Sequence, residues 1–171
     1  MLLRTVILAA LIAGAATQIP ALIRPSDEAP PTIASVAPAV PRQLAPGGFG
    51  RVRLQADNRG HFNGTFRING KAVDGVIDTG ASLVAINEST ARTLGYGVNG
   101  LDFRYTVSTA NGTTDAAHVI LDRIEIGAVR VRDVDAFVMR DKALANTLVG
   151  MSFLKKLKSY QAENGSLTLN Q

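Results

Sequence analysis

The sequence predicts a small all-β domain, a closed barrel or sandwich, from three observations. Polar and apolar residues alternate along several short stretches, as half-buried strands require. Turn signals, Asn-Gly pairs among them, separate these stretches at regular intervals. The chain has 171 residues, 46% hydrophobic but only 5% aromatic, so its core must be built mainly from Val, Ile, Leu and Ala.

The folded part is expected to span 49–171. Residues 51–56 alternate polar and apolar and read as a strand, followed by a turn at Asp57-Asn58-Arg59-Gly60. A strand over 65–68 runs into Asn69-Gly70, a hairpin signal because both residue types accept positive φ. Residues 72–77 return as a strand and deliver Asp78 at its end. Residues 88–94 read as a short helix stopped by Gly95. Strands over 105–110 and 113–121 flank a second hairpin signal, Asn111-Gly112. Residues 124–126 and 129–131 bracket a turn at Gly127-Ala128, and 134–139 adds a further strand. A helix is expected over 152–160, with Ser152 as N-cap and Phe153, Leu154 and Leu157 on one side. Glu163-Asn164-Gly165-Ser166 then turns the chain into a last strand over 167–169.

Two segments precede this domain. Residues 6–16 are uninterrupted apolar or small after the single charge of Arg4, and Ala13-Gly14-Ala15 is an acceptable cleavage site for a signal peptide. Residues 6–23 together lie near the lower limit of about 17 residues needed to span a bilayer. Residues 1–23 are therefore expected to be a cleaved signal peptide or a retained membrane anchor, and both send the remainder across a membrane. Residues 24–48 hold six of the seven prolines and few large apolar residues, which predicts an extended linker.

Composition removes several chemistries. The chain has no cysteine, which excludes disulfides, thiolate zinc sites and a cysteine nucleophile. The formal charge is +4, but the cations are scattered. Only Lys155-Lys156 with Lys158 clusters, without an aromatic stripe, so no nucleic-acid partner is expected. His61 and His118 lack metal-ligand spacing, and neither metal nor cofactor is expected. Gly80-Ala81-Ser82-Leu83-Val84 fails the Gly-x-Ser-x-Gly pattern of serine hydrolases.

One motif carries chemistry: Asp78-Thr79-Gly80-Ala81-Ser82, directly after Val76-Ile77 and present once. Peptide hydrolysis by carboxylates uses two aspartates about 3 Å apart that share a proton. A chain with one copy must borrow the second from a partner or do something else. Gly80 removes a side chain where backbone can approach a reacting group, and the Thr79 hydroxyl can hold a loop. Downstream, Leu148-Val149-Gly150 directly precedes the expected helix.

These two features together resemble the retropepsin-like aspartic proteases. The likeness extends to a bacterial, membrane-associated branch through Gly60-His61-Phe62, Ile68-Asn69-Gly70, residues 78–82, Thr109-Ala110-Asn111-Gly112 and residues 148–154, in that order over about 51–169. The resemblance implies a small closed acid-protease barrel with one short C-terminal helix, active as a homodimer. It makes Asp78 the catalytic residue, with Thr79 bonding across the dimer axis and Gly80 contacting substrate backbone. Thr109, Ala110, Asn111 and Gly112 become the flap over the substrate. Leu148, Val149 and Gly150 become the segment supporting the active-site loop. Ala81 stands where pepsin-like enzymes keep a hydroxyl. Hydrogen bonds to a carboxylate favour its ionised form, so a less acidic working pH is implied.

The resemblance also implies a polypeptide substrate and a location in the bacterial inner membrane, single-pass with a periplasmic domain, or secretion to the periplasm. The rival expectation is a non-catalytic peptide-binding or assembly module on the same barrel. Asp74 is expected on the same side of the strand as Asp78 but about 13 Å away at ~3.3 Å per residue, and Asp102, Asp115, Asp122, Asp133, Asp135 and Asp141 are expected in turns or on solvated strand faces.

Overall fold

Strict alternation becomes strand in the computed structural model, which describes residues 45–46, 50–109 and 112–171. In β2 (Arg51–Gln55), Val52 and Leu54 are buried while Arg51, Arg53 and Gln55 are exposed. The next strands are β3 (Phe62–Ile68), β4 (Lys71–Ile77) and β5 (Val84–Asn87). Helix α1 (Glu88–Thr93) and a 3₁₀ turn at Val98–Gly100 follow. Then come β6 (Tyr105–Thr109), β7 (Gly112–Ile126), β8 (Val129–Met139) and β9 (Thr147–Val149). Helix α2 (Met151–Leu154), β10 (Ser159–Glu163) and β11 (Ser166–Asn170) complete the domain. A two-residue strand β1 (Ala45–Pro46), inside the stretch read as linker, pairs with β2.

Six strands close a ring in the order β3-β4-β9-β5-β8-β7, because β7 returns to pair with β3 through Arg67↔Glu125 and Ile68↔Ile124. The expected all-β closed barrel is thus what the chain forms. Pairs β4–β9 and β5–β8 are parallel, and β6 hangs from β7 as a hairpin arm. A separate sheet orders β1-β2-β11-β10. Phe66, Ile68, Ile86, Leu121, Ile124 and Phe153 fill the main core, each 1% exposed or less. Asn69 and Gly70 have φ of 47° and 81°, and Asn164 and Gly165 have 48° and 69°. Both pairs therefore make the type I′ turns that their sequence predicts.

Three expectations change. Helix 152–160 shrinks to the single turn Met151–Leu154, and 159–163 is a strand paired with β11 from Ser159↔Asn170 to Glu163↔Ser166. Phe153, Leu154 and Leu157 fit one helical turn and its exit. Beyond them, β10 is exposed throughout, so it has no alternation to announce it, and the Asn164-Gly165 turn claims it for a hairpin. Second, the separate strands expected over 113–121 and 124–126 are one strand, as are 129–131 and 134–139. Inward positions shift from Leu121 to Ile124 on β7 and from Val131 to Val134 on β8. Pairing continues across the shift at Leu121↔Val134 and Arg123↔Arg132, with Asp133 at φ 53°. The broken alternation marks a twist inside a hairpin. Third, β5 and β9 had no strand signal, because strands of four and three residues within a barrel wall show no usable period.

Candidate active site

Strand β4 carries Asp78 to its place. Ile77 pairs in parallel with Val149, and the Asp78 N–H donates to the Val149 carbonyl at 3.0 Å, extending the ladder by one residue. The chain then turns tightly. The Gly80 N–H donates to Asp78 Oδ1 at 2.8 Å, and the Ala81 N–H to the Asp78 carbonyl at 3.3 Å. The carboxylate is thereby oriented by its own loop. Thr79 lies exposed at the tip of the turn, and its hydroxyl has no hydrogen-bond partner among the described residues.

The far side of the loop is clamped by α2. Met151 and Ser152 N–H groups, unsatisfied within the helix, donate to the carbonyls of Ala81 and Ser82 at 2.8 and 3.1 Å. The Ser152 hydroxyl accepts from the Val84 N–H at 2.9 Å and donates to the Asp135 carbonyl at 2.7 Å. Gly150 makes this approach possible, since a Cβ there would lie 2.3 Å from the Leu83 oxygen and 2.5 Å from the Ala81 oxygen. Val149 and Gly150 thus lie directly against the segment that runs from Asp78 to Leu83. Ser152, read from sequence only as a helix cap, is a structural tie between that loop and β8.

A cleft of about 350 Å³ opens over the loop. Asp78, Gly80, Ala81 and Ser82 form one side, and Val107, Ser108 and Thr109 of β6 form another. Leu83, Ala85, Phe137, Met139 and Leu148 supply an apolar floor on the outer face of the barrel wall. Beneath it Ala85, Ala116, Met139 and Leu144 pack as a second apolar cluster apart from the main core. Leu148 apart, which was expected as loop support, sequence reasoning missed these floor residues. Their signal was the unbroken Ala-Phe-Val-Met run at 136–139, which marks a strand with apolar neighbours on both faces. Among the described residues lining the cleft, Asp78 is the one carboxylate.

The β6–β7 hairpin pairs Thr109 with Gly112, and Thr109 Oγ1 donates to the Gly112 carbonyl at 2.8 Å. Ala110 and Asn111, expected at its tip, lie outside the described residues. Asp74 is exposed and accepts from Thr65 Oγ1 at 2.6 Å, as a solvated strand-face carboxylate. A roomier cleft of about 550 Å³ lies between Thr113-Thr114-Asp115 and Arg140-Asp141-Lys142. Several of its charges are already engaged. Arg140 binds Glu88 at 2.9 Å, and Asp141 accepts from the Ser89 N–H and hydroxyl at 2.8 and 2.9 Å.

The histidines also find partners that the sequence did not show. His118 Nε2 lies 3.0 Å from Asp135 Oδ1, and His61 Nδ1 lies 3.7 Å from Asp57 Oδ2. Among the described residues no group of three His, Asp or Glu side chains converges as a metal would need. No helix among them is long and apolar enough to cross a membrane. Residues 1–23, read as signal or anchor, lie outside the described residues.

Comparison with known proteins places this geometry. Residues 64–156 match a family described as gag-polyprotein putative aspartyl protease. An uncharacterized protein of Sinorhizobium sp is 38% identical over 122 residues, 71% of this chain and 52% of that protein. An uncharacterized protein of Rickettsia prowazekii (strain Madrid E) is 32% identical over 124 residues, with the same coverage of both chains. This chain thus spans about half the length of those relatives. The crystal structure of a retropepsin-like aspartic protease from Rickettsia conorii superposes with a TM-score of 0.63 at 30% identity, over 71% of this chain and 90% of that one. The matched segment contains both the Asp78 loop and Leu148-Val149-Gly150, and the chain belongs to the retropepsin-like aspartic proteases.

Proposed function

We propose that the protein is an aspartic endopeptidase whose active site is assembled from two copies of the chain, each contributing Asp78. The observation that carries this reading is the solitary Asp78 carboxylate in an open, otherwise uncharged cleft. Thr79 supports it, being exposed at the loop tip with its hydroxyl unengaged among the described residues.

Two Asp78 carboxyls at contact distance cannot both ionise comfortably, so the pair holds one proton. The protonated member polarises the scissile carbonyl. The ionised member takes a proton from a water held between them, and that water attacks the carbonyl carbon without a covalent enzyme intermediate. Titration belongs to the pair rather than to either chain. The Gly80-to-Asp78 bond holds each carboxylate in plane before substrate arrives. An extended polypeptide lies between this loop and the β6–β7 hairpin, bound by main-chain hydrogen bonds as an added strand. Phe137, Met139 and Leu148 select apolar side chains. On the same reading, residues 1–23 deliver the domain across an inner membrane.

Hydrolysis of casein or a peptide library by the full-length protein, beside Asp78→Asn, tests the proposal. The variant is expected to keep the wild-type melting temperature and lose about 10²–10⁴-fold or more in rate, because the general base is gone. Equal behaviour of the two proteins would discard the protease reading in favour of a non-catalytic binding module.

A further inference from the structure

We propose that the outer face of β6, β7 and β8 beyond the cleft is a distal substrate ledge that receives a basic side chain, arginine best, of an extended polypeptide. The proposal rests on the protease reading, since the ledge continues the cleft around Asp78.

Continuity comes from register. Along β8, Met139, Phe137 and Asp135 share one face at two-residue intervals, and the first two line the cleft. Across the ladder, Ala116, His118 and Ile120 of β7 stand opposite them. Tyr105 of β6 stands opposite Ala116. Phe137 therefore carries the cleft wall outward. Its ring centroid lies 5.4 Å from that of Tyr105 and 6.1 Å from that of His118, the latter edge-on. Tyr105 and Ile120 are 45% and 53% exposed, large side chains left uncovered beside Phe137 and opposite Asp135 respectively.

The chemistry of the far end sets the sign. Asp135 offers Oδ1 to His118 at 3.0 Å, while its Oδ2 has no protein partner among the described residues. Arg104, next to Tyr105 in sequence, is paired with Asp102. From Met139 to Asp135 is about 13 Å at ~3.3 Å per residue. That is the reach of about four residues of an extended ligand, two of which point at the ledge. A guanidinium is drawn to aromatic faces, its aliphatic stem covers apolar surface, and its planar fork meets a carboxylate. A purely aliphatic side chain would cover the rings but leave Asp135 desolvated, and an acidic one would oppose it.

Three sets of fluorogenic peptides separate the possibilities. They share one core of extended apolar sequence: the core alone, the core extended at either end by four residues that include arginine, and the same with glutamate. Cleavage is measured with the full-length wild-type protein, and binding with full-length Asp78→Asn. The arginine peptide is expected to show a KM and a Kd about 3- to 30-fold below the glutamate peptide, with kcat unchanged. In Asp135→Asn the two peptides should converge, and Tyr105→Ala should narrow the gap. Equal values for both peptides in the wild-type protein, or a preference that survives Asp135→Asn, would overturn the ledge. An arginine preference in binding with no cleavage of the core would sink the protease reading and leave the ledge standing.

Discussion

Gly150 shows how a residue without chemistry can decide where the Asp78 carboxylate sits. Its backbone is extended, with φ −96° and ψ −162°, so alanine is allowed there on conformational grounds. The obstacle is contact alone. An added Cβ meets the carbonyl oxygens of Leu83 and Ala81 at 2.3 and 2.5 Å, and both belong to the loop that begins at Asp78. Ala81 accepts from the Met151 N–H, and Leu83 lies between Ser82 and Val84, both bonded to Ser152, so neither oxygen can retreat without disturbing those bonds. Gly150→Ala is therefore expected to cost about 1–3 kcal/mol, the range for overpacking, and to lower peptidase activity by displacing the loop. Gly97, with no atom within 4 Å of a Cβ, supplies the control, and Gly97→Ala should leave the urea midpoint nearly unchanged. Matching midpoints and activities for Gly150→Ala and the wild-type protein would mean that the approach of α2 to the loop is wrong.

At the scale of elements, α1 illustrates stability built from exposed polar groups. Asn87 Oδ1 accepts from the Thr90 N–H at 2.8 Å, capping the helix. Asp141 accepts from the Ser89 N–H and hydroxyl and so ties the helix start to the loop after β8. Those bonds, the backbone one foremost, with Arg92 beside them, hold the Asp141 carboxyl below its usual range. A depressed folded-state value means that this contribution is complete above the unfolded value, about 3.9, and fades as pH falls through the folded one. The difference in melting temperature between wild type and Asp141→Asn is expected to be constant above about pH 5 and to shrink below pH 4. A difference that grows on acidification would contradict the tie.

The extent of α1 was legible because Gly95, which stops it, is a local signal. The Asp141 tie was not, since it joins residues 52 apart. The same division runs through the site. The Asp78 loop and Leu148-Val149-Gly150 announce themselves as short runs of fixed type. The floor from Phe137, Met139 and Ala85 exists only once the ring of strands closes. Strand β10 was misread because a fully exposed edge strand has no buried face to impose a period, leaving the apolar residues of α2 to suggest a longer helix.

For the molecule as a whole, the barrel presents one carboxylate in its cleft where the proposed chemistry uses two. Among the described residues, the cleft over the loop holds one carboxylate, with the unengaged Thr79 hydroxyl beside it in sequence, and the proposal completes them with a second copy. A subunit-mixing series tests that claim most directly. Wild-type and Asp78→Asn chains, unfolded and refolded together at fixed total concentration, distribute at random among pairs. If each site needs two Asp78 carboxylates, only pairs of wild-type chains work, and activity per wild-type chain falls in direct proportion to the wild-type fraction. Activity per wild-type chain that stays constant across the series would show that one Asp78 suffices, and would contradict the shared site.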